Sequence, residues 1–334
     1  MEILLWVGIF VVSLIALVKG ADWLLGSSER IGLALGLSPF IIGVVIVGLG
    51  TSFPELISSL LAVMRGVTEI VTANAVGSNI ANILLIIGIS ALIGKKLIVT
   101  KSLIDLDLPL LAISTVILLS TVIDRQITLG ESIILLITYV IYLLYTMLHK
   151  DDDSVEVSDI LPSRPDRRRK DVAKKKEVKK SNKRPKLELR DFGLLILGLA
   201  GLVLGANYLI ESVINISAIL NIGAGVIAIS AVALGTSLPE LIVSIKAVLN
   251  KKSEMAIGNI FGSNIFNGLV VVGIPGLFTN LNIDEQTFLI GIPVMALATL
   301  LFVISGISRR IHMWEGAFYL ILYIIFIGKL FNIF

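Results

Sequence analysis

Ten apolar runs, each about twenty residues long, constrain the fold of this chain more than any other feature. A helix needs about 20 such residues to cross the hydrocarbon core of a bilayer, and the runs are continuous rather than alternating. They therefore predict an all-α integral membrane protein with ten transmembrane helices. The predicted spans, one to ten, are residues 3–25, 38–63, 70–93, 103–122, 127–147, 192–213, 222–248, 254–277, 287–306 and 313–333. A composition of 56% hydrophobic and 16% charged residues excludes a soluble enzyme and a nucleic-acid-binding protein.

A basic segment, residues 150–190, separates spans five and six and contains fifteen Lys/Arg and nine Asp/Glu. It has too few apolar residues to build a core, so we expect a cytoplasmic linker between a first five-helix repeat, 1–149, and a second, 191–334. Its part 164–190 could contact anionic lipid headgroups. With this linker inside, 24 Lys/Arg lie in the cytoplasm and 3 outside. The positive-inside rule then predicts a multi-pass plasma-membrane protein with both termini extracellular.

An internal duplication relates the two halves. The sequence LGTSFPELI at 49–57 recurs as LGTSLPELI at 234–242, and GSNIAN at 77–82 recurs as GSNIFN at 262–267. Both copies are shifted by 185 positions, without an insertion between the motifs. Because each half has five spans, an odd number, the second half enters the membrane in the opposite orientation. The duplication thus predicts the inverted repeats of secondary transporters, with broken helices at the repeat interface.

The repeated motifs contain residues that break helices in spans two, three, seven and eight. Gly50 and Pro54 interrupt span two, and Gly235 and Pro239 interrupt span seven. Proline lacks the backbone donor that a helix requires, so carbonyl groups before it lose their partners. In hydrocarbon these carbonyls need another partner, and a dehydrated cation is a suitable one. We expect freed carbonyls at Gly48, Leu49 and Thr51.

Two glutamates, Glu55 and Glu240, lie in the middle of spans two and seven. An acidic residue at a helix centre costs roughly 2.5–3.5 kcal/mol on insertion. One explanation is a capping box in each motif, formed with Ser52 and Ser237. We favour a cation site, because a glutamine could cap a helix without charge and both copies keep glutamate.

The other side chains of the motifs are also oxygen donors: Thr51, Ser52, Ser78, Asn82, Thr236, Ser237, Ser263 and Asn267. Hard oxygen donors suit Ca²⁺, Na⁺ or Mg²⁺ and disfavour Zn²⁺, and the chain contains no cysteine. A flexible cage of carboxylates and carbonyls fits Ca²⁺ better than Mg²⁺, which dehydrates reluctantly. Two carboxylates can neutralise one Ca²⁺ or be shared by several Na⁺. The two ions would then compete for one site, which is the physical basis of exchange.

Other polar residues within the spans have simpler explanations. Lys19 and Asp22 are three residues apart in span one, so they could pair with each other. Asn74 and Asn259 recur at the shift of 185 and are interpreted as polar packing between helices.

The paired motifs, GTSFPEL with GSNIAN and GTSLPEL with GSNIFN, resemble the two alpha-repeats of the Ca²⁺/cation antiporter superfamily. The sodium/calcium exchanger branch of the prokaryotic ten-helix type is the most similar, over nearly the whole chain. The resemblance implies that Glu55 and Glu240 are central ligands shared by Ca²⁺ and Na⁺, together with Thr51 and Thr236. Two flanking Na⁺ sites would be formed by Ser52, Ser78 and the Gly48 carbonyl, and by Ser237, Ser263 and the Ala233 carbonyl. Asn82 and Asn267 would line the middle.

The resemblance also implies a transporter, not an enzyme, that exchanges three Na⁺ for one Ca²⁺. It would work as a monomer without a tightly bound cofactor, by sliding of spans one and six. The K⁺-dependent relatives carry Asp at the position of Asn267, so we expect no K⁺ requirement here and an electrogenic cycle. Two alternatives stay open: H⁺-coupled Ca²⁺ exchange through protonation of Glu55 or Glu240, and a cation channel.

Overall fold

The computed structural model describes residues 2–98, 108–148, 186–219, 237–308, 310–331 and 333. Eight of its helices are long and apolar enough to cross a membrane. A shorter apolar helix corresponds to span four, and the described part of span seven is also helical. The helices α1 to α10 are, in order, Glu2–Ala34, Pro39–Met64, Glu69–Gly94, Leu108–Thr121, Leu129–Leu148, Leu189–Ile219, Leu238–Leu249, Ser253–Gly276, Thr287–Ile307 and Met313–Leu330. This confirms the ten-helix prediction. Residues 149–185, which include most of the basic linker, lie outside the described residues.

Two small antiparallel sheets show that the repeats are inverted. Strand β1 (Lys96–Ile98) pairs with β4 (Arg310–His312), and β2 (Gln126–Ile127) pairs with β3 (Leu281–Asn282). The shift of 185 places β1 on β3 and β2 on β4, so each sheet is the counterpart of the other. Because α4 separates β1 from β2 along the chain, the sheets lie at opposite ends of the bundle. Each sheet joins loops that the alternation of spans assigns to the same side of the membrane.

Helices α1 and α6 pack against each other backbone to backbone. A Cβ atom added to Gly198 would lie 2.7 Å from the main-chain nitrogen of Leu24, and one added to Gly20 would lie 2.8 Å from the Gly198 carbonyl oxygen. Farther along, a Cβ on Gly205 would lie 2.9 Å from the nitrogen of Leu17. Small residues allow such close approach in membranes, where packing rather than hydrophobicity drives association. These two helices therefore form a closely packed pair beside the motif helices α2 and α7.

We expect Gly198→Ala to force α1 and α6 apart, because backbone atoms cannot rotate away from the new methyl group. The expected cost is about 1–3 kcal/mol, typical of overpacking, and would appear as a lower thermal unfolding temperature of the purified protein. Gly193→Ala, on the same helix, is the matched control, because a Cβ at Gly193 would have no described atom within 4 Å apart from its own helix backbone. Equal destabilisation by the two changes would contradict the close packing.

Three ion pairs connect α1 to other elements toward the predicted cytoplasmic side. Asp22 pairs with Lys246 at 2.9 Å, Glu29 with Lys252 at 2.6 Å, and Arg30 with Asp191 at 3.2 Å. The predicted pair between Lys19 and Asp22 is wrong, because α7 brings Lys246 to Asp22. The first two pairs thus connect α1 to α7 and the loop that follows it.

The motif helices are interrupted in two different ways. In α2, a π-helical stretch (Ile42–Gly48) precedes a turn at Ser52 with φ −90° and ψ 4°, and a new helical segment begins at Phe53. The described part of α7 begins after a similar turn at Ser237, with φ −85° and ψ 5°. Helices α3 and α8 instead widen into π-helical stretches, at Ala81–Ile87 and Asn267–Val271. The predicted interruptions are confirmed in α2, α3 and α8, whereas Gly235 of span seven lies outside the described residues. π-Helical stretches are frequent at functional sites.

One expectation about freed carbonyls is wrong. The Gly48 carbonyl keeps a partner within its helix, because it accepts the Ser52 N–H at 3.1 Å. The donor that Pro54 lacks would instead have reached the carbonyl four residues earlier, that of Gly50.

Candidate ion-binding site

The repeated motifs of α2, α3, α7 and α8 meet in the buried centre of the molecule. The nine predicted site side chains that the structure describes are at most 7% exposed: Thr51, Ser52, Glu55, Ser78, Asn82, Ser237, Glu240, Ser263 and Asn267. Gly48 is buried with them, whereas Thr236 and Ala233 lie outside the described residues. Hydrogen bonds join α2 to α7 and α8, and α3 to α8. The site is therefore formed by residues of both repeats.

Glu55 and Glu240 occupy the first turn of the helical segments that begin after Ser52 and Ser237. Both are almost completely buried, at 0% and 1% exposure. The positive end of the helix dipole favours negative charge at this position. The side chains of Ser52 and Ser237 make no capping hydrogen bond, so the capping-box explanation is wrong. Ser52 Oγ instead donates to Glu240 Oε1 of the other repeat at 3.1 Å.

The two glutamates place negative charge in the interior. Among the described residues the buried charged side chains are Glu55, Glu240 and Asp191, and Asp191 pairs with Arg30. Burying an ionised carboxylate is costly unless an opposite charge or hydrogen bonds compensate it. A cation or a proton bound at the glutamates would supply such compensation.

Several buried polar atoms near the motif centre make no hydrogen bond within the described parts of the chain. They are Glu240 Oε2, Asn82 Oδ1 and both amide atoms of Asn267. Buried polar atoms are normally satisfied, so atoms without a partner at a charged site indicate a ligand or water. Their oxygens, like the glutamate carboxylates, are the ligand type that Ca²⁺ and Na⁺ prefer.

Oxygen atoms from α2 and α8 form a second group. The Gly48 carbonyl accepts from Ser263 Oγ at 3.3 Å and lies 3.4 Å from Thr51 Oγ1, and the two hydroxyl oxygens are 3.5 Å apart. The structure thus places the Gly48 carbonyl beside Ser263 of the other repeat, where α8 crosses α2. The grouping of Gly48 with Ser52 and Ser78 in one Na⁺ site stays a prediction.

Three asparagines contribute contacts that the sequence did not assign to the site. Asn79 Nδ2 donates to the Asn264 carbonyl at 3.1 Å, and Asn82 Nδ2 donates to Asn264 Oδ1 at 3.3 Å. Asn259 Oδ1 accepts from Thr51 Oγ1 at 3.1 Å. The signal that could have identified them is the shift of 185, which relates Asn79 to Asn264 and Asn74 to Asn259.

Comparison with known proteins agrees with this architecture. The family described as "Sodium/calcium exchanger protein" matches residues 5–148 and 191–331. The sodium/calcium exchanger MaX1 of Methanosarcina acetivorans is 31% identical over 97% of this chain and 98% of its own length. A membrane protein of Methanocaldococcus jannaschii is 33% identical over 98% and 99%. A solved structure of the sodium-calcium exchanger NCX_Mj, soaked without Na⁺ and Ca²⁺, superposes with a TM-score of 0.80, at 30% identity, over 98% of this chain and 99% of that one. The chain therefore belongs to the sodium/calcium exchanger family of the Ca²⁺/cation antiporter superfamily.

Proposed function

We propose that this protein exchanges about three Na⁺ for one Ca²⁺ across the plasma membrane by alternating access. The observation that carries the proposal is the pair of buried glutamates, Glu55 and Glu240, contributed by opposite repeats. Their combined charge of −2 matches one Ca²⁺. Flexible cages of carboxylate and neutral oxygens suit Ca²⁺ better than Mg²⁺, which dehydrates reluctantly.

In the proposed cycle, Ca²⁺ and Na⁺ compete for the same two carboxylates. Thr51 and its counterpart Thr236 add oxygens to the central site, and the neutral amides Asn82 and Asn267 line its middle. Flanking Na⁺ ions bind at the hydroxyls and carbonyls, for which the candidates are Ser52, Ser78 and Gly48, and Ser237, Ser263 and Ala233. One Ca²⁺ leaves the site neutral and three Na⁺ give it a charge of +1, so each cycle moves net charge.

The ions are the cargo, and the proposal needs neither a resident cofactor nor an enzymatic step. The sliding pair α1 and α6 would open the site to each side of the membrane in turn. The linker 150–190 lies in the cytoplasm with both termini outside, and its basic part contacts anionic lipid. A single copy of the chain contains both repeats and so suffices for transport.

Ca²⁺ uptake into proteoliposomes tests the coupling ion. An outward Na⁺ gradient should drive uptake, a pH gradient alone should not, and a protonophore should not lower the Na⁺-driven rate. Clamping an inside-positive potential should raise the rate, because three Na⁺ leave for each Ca²⁺ that enters. Uptake that follows only the pH gradient would establish H⁺-coupled exchange instead. Ca²⁺ flux down its own gradient, without counter-transport of Na⁺, would indicate a channel.

Omitting K⁺ tests the interpretation of Asn267, whose amide adds no third negative charge to the buried site. We expect the same initial rate of Na⁺-driven Ca²⁺ uptake with K⁺ or with choline on both sides. The membrane potential is held equal in the two conditions by a protonophore at symmetric pH. A strict K⁺ requirement would contradict the assignment while leaving Na⁺/Ca²⁺ exchange intact.

A further inference from the structure

Asn259 connects the two halves of the site through a single amide group. It lies on α8 and is completely buried. Its Nδ2 donates to Ser244 Oγ at 3.0 Å and, at the longer distance of 3.5 Å, to the main-chain carbonyl of Glu240. Its Oδ1 accepts from Thr51 Oγ1 at 3.1 Å. One side of the amide thus holds the backbone of the second-repeat glutamate, and the other side holds a first-repeat hydroxyl.

The contact with Thr51 determines where the hydroxyl proton points. A threonine hydroxyl has one proton and two lone pairs, and a cation binds only to the lone pairs. Thr51 Oγ1 is closer to Asn259 Oδ1, at 3.1 Å, than to the Gly48 carbonyl at 3.4 Å or Ser263 Oγ at 3.5 Å. The Glu240 carboxylate also interacts with this hydroxyl, and it is the acceptor with which Asn259 competes for the proton. With its proton on the amide oxygen, Thr51 has both lone pairs available for an ion.

The Glu240 carbonyl sets the orientation of the Asn259 amide. A carbonyl oxygen can only accept, so the amide nitrogen must face Glu240 and the amide oxygen faces Thr51. The Ser244 hydroxyl, which can donate or accept, accepts from Nδ2 in this orientation. The network therefore runs by direct contacts from the Glu240 main chain through Asn259 to Thr51.

The first repeat has the same contacts on the donor side of this amide, whereas the counterpart of Thr51, Thr236, lies outside the described residues. Asn74 Nδ2 donates to the main-chain carbonyl of Glu55 at 3.2 Å and to Ser59 Oγ at 3.2 Å, and these two residues correspond to Glu240 and Ser244. It also donates to Ser58 Oγ at 3.1 Å. Simple packing between helices does not require the same acceptors in both repeats, whereas positioning of each glutamate does.

We propose that Asn259 is a positioning residue that sets the Thr51 hydroxyl as a cation ligand and holds it in register with Glu240. It binds no ion itself, and it acts through Thr51. This inference rests on the proposed function, since it assigns a ligand role to Thr51 and Glu240. Asn259→Ala should raise the KM for Ca²⁺ about tenfold, the effect of one lost hydrogen bond, and change the maximal rate less than twofold.

A double-mutant cycle with Thr51→Val separates positioning from general stability. Once the hydroxyl is absent, Asn259 keeps its contacts with Glu240 and Ser244 but has no hydroxyl to orient. Asn259→Ala should therefore raise the KM by clearly less in the Thr51→Val background than in the wild type. Thr72→Val is the control, because its buried hydroxyl on α3 makes no hydrogen bond to the described residues; its KM should equal that of the wild type. Multiplying effects in the double variant, or an unchanged KM in Asn259→Ala, would overturn the proposal.

Two further measurements keep the test decisive. Asn259→Ser replaces Asn259→Ala in the same cycle if the alanine variant does not fold. Should the wild type show no Na⁺-driven uptake, the proposed function fails, and the cycle is then measured as the Ca²⁺ concentration that half-maximally raises the unfolding temperature. Coupling between positions 51 and 259 in that assay supports the positioning role, and its absence overturns it.

Discussion

Glu240→Gln is expected to abolish Na⁺-driven Ca²⁺ uptake and to weaken Ca²⁺ binding by more than about 100-fold. Glutamine keeps the size of the side chain and an oxygen that can accept from Ser52 Oγ, so the change removes little besides the charge. At an effective dielectric constant of about 20, two unit charges 4 Å apart attract by about 4 kcal/mol, and a divalent ion doubles this value. Even after the cost of desolvation, a loss of about 3 kcal/mol remains.

In the absence of ions, the same substitution should stabilise the protein. Glu240 is buried without a buried basic partner among the described residues, so removing its charge should raise the unfolding temperature in chelator-treated, Na⁺-free buffer. Added Ca²⁺ should stabilise the wild type strongly and the variant little. Glu55→Gln should reproduce both results, because the duplication gives it the equivalent position.

Glu211→Gln is the matched control for charge. This glutamate lies on α6 and is exposed, so its replacement changes the net charge equally without touching the site. Its transport rate and its stabilisation by Ca²⁺ should equal those of the wild type. Full uptake by Glu240→Gln, or equal losses in Glu240→Gln and Glu211→Gln, would show that the buried pair does not carry the transport.

The architecture and the central glutamates could be predicted from the sequence because both rest on patterns within the chain. Span length follows from bilayer thickness, and the shift of 185 reveals the duplication and, with five spans a repeat, its inversion. The motif also identifies Glu55 and Glu240 as the charges to be explained.

Predictions from the spacing of neighbouring residues were wrong where a residue far away in the sequence provided the hydrogen bond or ion pair instead. The spacing of Ser52 and Glu55 fits a capping box, yet Ser52 bonds to Glu240, 188 positions away. The spacing of Lys19 and Asp22 fits a pair within one helix, yet Asp22 pairs with Lys246. In both cases the tertiary partner belongs to the opposite repeat, and no sequence pattern states which helices will meet.

The contact between α2 and α8 is a further case, since it depends on glycines that the motifs do not explain. A Cβ atom on Gly48 would lie 3.0 Å from the main-chain nitrogen of Ser263, and one on Gly262 would lie 2.8 Å from the Cα of Val44 and overlap the Val44 carbonyl oxygen. The helices thus touch through their backbones, and this contact brings the Gly48 carbonyl to Ser263 Oγ at 3.3 Å.

Gly262→Ala should therefore damage the fold and the site together. The new methyl group meets backbone atoms, which cannot adopt another rotamer, so α2 and α8 must separate and Gly48 must move away from Ser263. We expect a loss of about 2–3 kcal/mol in stability, at the upper end for overpacking, and at least a tenfold lower rate of Na⁺-driven Ca²⁺ uptake per folded molecule. Unfolding temperature and uptake, normalised to monodisperse protein, measure the two effects.

Gly268→Ala provides the comparison on the same helix. A Cβ there would lie 3.3 Å from Cδ2 of Leu118, a side-chain atom that can shift by a few tenths of an ångström. Its stability and uptake should stay close to those of the wild type, although Gly268 is as deeply buried as Gly262. If both alanine variants behaved alike, burial rather than backbone contact would decide the outcome. The proximity of Gly48 to Ser263 would then not depend on the glycine at position 262.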